Sequence, residues 1–257
     1  MKLIEIYNYL ESFAPLEFQE SYDNSGLQMG DLEKDVKKGL LSLDLTQQAV
    51  KRALKENFDF ILTHHPILFH PLKSLDRNQR PGKLLLPLAE KGISVIAWHT
   101  NLDRALGGVN DVLAKALSIH VDGDLVEEEN KPGMGRVGSI KEQRGEELAE
   151  HVRRTLEAPY IITYGNASKK IERVALLGGS GADFISFALE KKVDAYITAD
   201  IRYHDTEEAL DKDLFLIDAG HYYSEQVMME ELKKLLEKEF STVEFQVEKR
   251  NFQNQVY

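Results

Sequence analysis

Two pentapeptides, Asp59-Phe60-Ile61-Leu62-Thr63 and Asp194-Ala195-Tyr196-Ile197-Thr198, constrain the fold of this chain more than any other feature. Each follows a helical pattern, opens on Asp and closes on Thr, and the offset is 194 − 59 = 135 residues. The next step repeats too. A helix, the strand Ser94 to Trp98 and then His99 are echoed by a helix, the strand Leu214 to Gly220 and then His221. Four residues after each histidine stands a carboxylate, Asp103 in one copy and Glu225 in the other. A fixed internal offset is the mark of repeated architecture. The expected fold is α/β: two similar interlinked lobes related by internal duplication, each a mixed sheet flanked by helices. The first lobe is placed at residues 1–123 with the return of 222–257, and the second at 124–221.

Local patterns fill in this frame. Leu3, Ile6, Tyr7 and Leu10 are spaced for an amphipathic helix that Pro15 ends. Leu40 to Leu45 reads as a strand, Thr46 as the N-cap of a helix from Gln47 to Asn57, and Asp59 to Thr63 as the next strand. Parallel strands need such a crossover, and open α/β sheets place their ligand sites at the carboxyl ends of the strands. His64 and His65 fall at one such end. Further on, Lys83 to Lys91 reads as a helix closed by Gly92, and Gly107 to Asp111 leads into another, capped by Asn110 and running to Leu117. Residues 122–135 mark a boundary too short to separate independent bodies. Ser21 to Gly26 has the composition of a turn. Gly178-Gly179-Ser180-Gly181 reads as a tight turn, because it lacks both G-x-G-x-x-G and the P-loop Lys.

Two adjacent imidazoles past a buried strand cost desolvation unless something binds them, and neutral imidazole is a common metal ligand. His64, His65, His99, Asp103, His221 and Glu225 offer four imidazoles and two carboxylates at or just beyond strand ends. That exceeds the three protein ligands of an open catalytic zinc site and suits two ions. Water on such ions has its pKa drawn down towards about 7 and supplies a hydroxide nucleophile with no Ser, Cys or Lys. Cys is absent, so any metal rests on nitrogen and oxygen, a set open to zinc, iron or manganese. His204, past the second strand of the repeat, is a candidate acid or base beside Glu225, whereas His70, His120 and His151 read as surface residues. A formal charge of −11 opposes a nucleic-acid backbone. No run is long enough to span a bilayer, and the N-terminus, Met1-Lys2-Leu3-Ile4-Glu5-Ile6, meets a charge too soon for a secretory h-region, so the cytoplasm is the expected compartment.

Asp23-Asn24-Ser25-Gly26-Leu27-Gln28, Thr63-His64-His65-Pro66, His99-Thr100-Asn101-Leu102-Asp103, Gly107 to Asp111 and Asp218-Ala219-Gly220-His221-Tyr222 together resemble the GTP cyclohydrolase I type 2 family, also called Ngg-interacting-factor-three-like. The likeness runs the whole length of the chain. It implies a dinuclear site carried by His64, His65, Asp103, His221 and Glu225, with His99 as ligand or neighbour. It also implies two divalent ions per chain and a toroidal homohexamer, here in the minimal form without the family's inserted domain. The family name implies hydrolytic opening of the guanine ring of GTP with loss of formate, so the expected partner is a small molecule, GTP or another nucleotide. A non-enzymatic oligomeric metal-binding or interaction protein is the alternative.

Overall fold

In a computed structural model, residues 1–250 are described. Helix α1 (Leu3–Phe13) precedes β1 (Gly26–Met29) and β2 (Lys38–Ser42); α2 (Gln47–Lys55), β3 (Phe60–Thr63), α3 (Gly82–Glu90), β4 (Ser94–Ala97) and α4 (Thr100–Arg104) follow. Next come α5 (Val109–Ala116), β5 (His120–Gly123), β6 (Arg136–Arg144), α6 (Gly145–Thr155), β7 (Ile162–Tyr164) and β8 (Lys170–Ser180). The chain then runs through α7 (Ile185–Glu190), β9 (Ala195–Ala199), α8 (Glu207–Asp211), β10 (Phe215–Asp218), α9 (His221–Glu239) and β11 (Glu244–Glu248). It divides into two units, one of Met1–Leu102 with the chain from Met229 onward, the other of Asp103–Met228. The sequence boundary at 123/124 falls inside the second unit, because α5 shares a core with β8 and β5 pairs with β6.

The duplication is explicit in the topology. The first unit runs α1-β1-β2-α2-β3-α3-β4-α4, with neighbours in the sheet ordered β1-β4-β3-β2-β11. The second runs α6-β7-β8-α7-β9-α8-β10-α9, ordered β7-β10-β9-β8-β6-β5. In each, one antiparallel strand (β1 or β7) flanks a parallel trio. The copies differ at the far edge, where β11 joins β2 in parallel but β6 joins β8 antiparallel.

The repeated strands β3 and β9 are buried at every position, as parallel strands covered on both faces must be. Leu40, Ile61, Val95 and Leu88 pack in the first unit's core. In the second, one core holds Leu148, Val152 and Ile197 and another Leu177, Tyr196 and Leu216. The Asp that opens each repeated strand has a common task. Asp59 Oδ2 accepts from the backbone N–H groups of Lys37 and Lys38 at 2.8 and 3.0 Å, and Asp194 Oδ2 accepts from those of Glu172 and Arg173 at 3.0 and 2.8 Å. Each carboxylate thereby fixes the start of the neighbouring parallel strand. Two residues earlier, Asn57 and Lys192 both adopt φ 54° to turn the chain out of its helix.

Thr46 caps α2 as its sequence predicts, accepting from the Ala49 N–H at 3.0 Å. Asn110 does not cap α5, whose N-cap is Gly108. Nor is Gly178 to Gly181 a simple turn, since β8 continues through Ser180 with an irregular register against β9.

Candidate metal centre

The first unit brings three imidazoles together. One ring nitrogen from each of His64, His65 and His99 lies within 4.8 Å of the others. β3 delivers His64 and His65, and β4 delivers His99 one residue after Trp98. His64 is fully buried. Its Nδ1 lies 2.8 Å from the Trp98 carbonyl, which can only accept, so Nδ1 carries the proton and the neutral ring has its lone pair on Nε2. The same arrangement recurs at His65, where Nδ1 meets Asp44 Oδ1 at 2.9 Å, and at His99, where it meets Asp23 Oδ1 at 2.8 Å.

Asp23 is the keystone of the loop before β1. Its Oδ2 accepts from the Thr100 N–H at 3.0 Å and from the Thr100 hydroxyl. Burial pushes this carboxyl up, but hydrogen bonds from His99 and Thr100 outweigh it and hold the group well below the ordinary carboxylate range. Ser25 adds a second tie, donating to Asn101 Oδ1 at 2.9 Å and accepting from the His99 N–H at 3.1 Å. The segment that composition reads as punctuation therefore orients a candidate ligand.

The second unit supplies Asp103, His221 and Glu225. His221 Nδ1 lies 2.8 Å from Asp200 Oδ2, and its Nε2 is 3.1 Å from Glu225 Oε2, one helical turn along α9. An Asp103 carboxylate oxygen lies within 4.8 Å of one from Glu225, and both residues are buried. Asn110 holds the group together: its amide donates to the Asp103 carbonyl at 2.9 Å and its Oδ1 accepts from the Gly178 N–H at 2.9 Å. Ser224 Oγ accepts from the Gly179 N–H at 3.0 Å. Gly179, at φ 75°, has no alternative: a Cβ there would overlap Glu225 Oε1 and stand 3.2 Å from His221 Nε2.

These donors fit a divalent ion. Two ligands about 2.0–2.2 Å from one ion stand roughly 3–3.5 Å apart, and His221 Nε2 and Glu225 Oε2 meet that spacing at 3.1 Å. All four rings have Nδ1 on an acceptor, three of them a carboxylate, the outer-shell pattern that presents Nε2 to a metal. Sequence reasoning found the rings and missed Asp23, Asp44 and Asp200, of which Asp44 and Asp200 follow strand ends as the histidines do. His204 lies apart from these ties, exposed on a short 3-10 turn with Nδ1 3.9 Å from Glu207. The two positions that match His64 and His65 are Ala199, the buried last residue of β9, and Asp200, which orients His221.

Fold and donors define a class: a duplicated α/β protein whose strand ends present nitrogen and oxygen ligands suited to divalent cations. The Duf34/NIF3 (NGG1p interacting factor 3) family matches residues 1–255, and the chain belongs to it. A "GTP cyclohydrolase 1 type 2 homolog" of Clostridium perfringens is 34% identical, with 97% of each chain covered. One of the same description from Lactococcus lactis is 38% identical over 86% of each. Among solved structures, a Staphylococcus aureus protein superposes with a TM-score of 0.92 at 28% identity, covering 100% of this chain and 99% of its own. No helix among the described residues is long and apolar enough to cross a membrane.

Proposed function

We propose that this protein is a metal-dependent hydrolase of a nucleotide or related nitrogen heterocycle, with GTP the first substrate to test. We assign His64, His65, His99, Asp103, His221 and Glu225 as the ligands of two divalent ions. The observation that carries this reading is the anchoring of all four Nδ1 atoms, which gives each ring one tautomer and one orientation. Ions bound there would polarise the substrate and acidify a water. Glu225, held by Gly179 and His221, accepts the proton released as water adds to the ring carbon and returns it to the departing nitrogen. The relatives' description as GTP cyclohydrolase 1 type 2 homologs supports the choice of substrate. By resemblance, six chains assemble as a ring, and the sequence makes the cytoplasm the expected compartment.

Protein loaded with zinc, iron or manganese in turn and incubated with GTP should release formate. The His64→Ala/Glu225→Ala double variant should release none, and undiminished release from it would remove the metals from the reaction. The family's alternative, a non-catalytic metal-binding assembly, takes over if no metal supports formate release from any nucleotide.

A further inference from the structure

A cavity of about 580 Å³ opens in the first unit beside His65, within the range of small-ligand sites. Arg80 and Arg250 stand in its wall with Asp44 and the first residues of α2, Thr46 and Gln47. We propose that this cavity is a polyphosphate-binding subsite, a proposal that rests on the hydrolase reading for its place beside the reacting centre.

Charge favours an anion here in a chain that is acidic overall. Among the described residues Asp44 is the one carboxylate in the wall; its Oδ1 engages His65 Nδ1 and its Oδ2 lies 3.9 Å from Arg250. Arg80 donates to the Leu45 carbonyl at 3.1 Å and makes no ion pair among the described residues. Among the described residues, two guanidinium groups stand in the wall against one carboxylate. The N-terminus of α2 adds its partial positive charge, since the Thr46 hydroxyl takes up only the Ala49 N–H. Guanidinium forks match phosphate oxygens in pairs, which selects polyphosphate over a single carboxylate. A strongly acidic molecule does not hold polyanions by diffuse attraction, so affinity must come from this local wall.

The test uses full-length protein stripped of metal, so that neither turnover nor an ion contributes. Calorimetry with inorganic tripolyphosphate should show binding that weakens as salt rises, and Arg80→Ala/Arg250→Ala should reduce affinity roughly tenfold or more with the circular-dichroism spectrum unchanged. Parallel titrations identify the source of the phosphates. If GTP loses affinity with tripolyphosphate while guanosine is unaffected, the subsite takes a nucleotide's tail; if tripolyphosphate alone loses affinity, it takes free polyphosphate. The proposal is overturned if tripolyphosphate does not bind the wild type, or binds the double variant equally well. Formate release stands or falls separately, because these measurements involve no metal and no reaction.

Discussion

His221 depends on a residue 21 positions away: Asp200 Oδ2 accepts a hydrogen bond from its Nδ1, and Asp200 itself sits at φ 57°. Asp200→Gly removes the carboxylate while tolerating that backbone conformation. Loss of such an outer-shell partner weakens metal binding by about 10–100-fold. A competition titration against a coloured chelator should read that loss for Asp200→Gly, and unchanged affinity would mean that Glu225 and the helix alone orient the ring. The four rings were legible in the sequence because each follows an apolar strand pattern. Their partners were not, because Asp23 meets His99 across 76 residues and Asp44 meets His65 across 21, pairings that no local spacing records. Gly178 and Gly179 escaped for a related reason. As isolated letters they indicate a turn, whereas Gly179 leaves the room that Glu225 fills and Gly178 comes close to Val109.

Among the elements, β3 and β9 were the most readable, and their shared opening Asp has a mechanical explanation. Asp194 holds two backbone N–H groups at the start of β8, as Asp59 does at the start of β2. Asp194→Ala leaves both donors without that acceptor and should lower stability by about 1–3 kcal/mol. The shift in denaturation midpoint, with an unchanged slope, measures it; a change below a few tenths would mean that solvent replaces the carboxylate. The same strand shows where reading by pattern stops. β8 carries Gly178 and Gly179 inside an irregular register, and propensity assigns glycine pairs to turns. Residues 122–135 misled in the other direction: their acids and glycines indicate a boundary, yet β5 pairs with β6 there and Val126 bridges to Met134. The copies also part at the histidines. The Trp98 and Ala219 N–H groups make equivalent bonds to Thr63 and Thr198, but His99 follows at once while His221 waits one residue, across Gly220 at φ 79°.

For the whole molecule, the question is whether the ions hold the fold or only the chemistry. Each unit has its own sheet and its own buried apolar core, with Phe60, Ile61 and Leu62 in one and Tyr196, Ile197 and Phe215 in the other almost wholly out of solvent. Burial of such side chains is worth about 2–5 kcal/mol apiece against truncation, far more in sum than one site contributes. The imidazoles are positioned by Asp23, Asp44, Asp200 and the Trp98 carbonyl, groups that remain when an ion leaves. Stripping the metal should therefore preserve the far-UV circular dichroism and a cooperative thermal transition. The loss of stability should be what mass action sets, about 4 kcal/mol for a site that had been held at a thousandfold excess over its Kd. Returning a divalent ion should restore the melting temperature in proportion to the logarithm of its concentration. If chelation instead abolishes the transition at room temperature, the ions are structural braces, and the non-catalytic reading of the centre is the one to pursue.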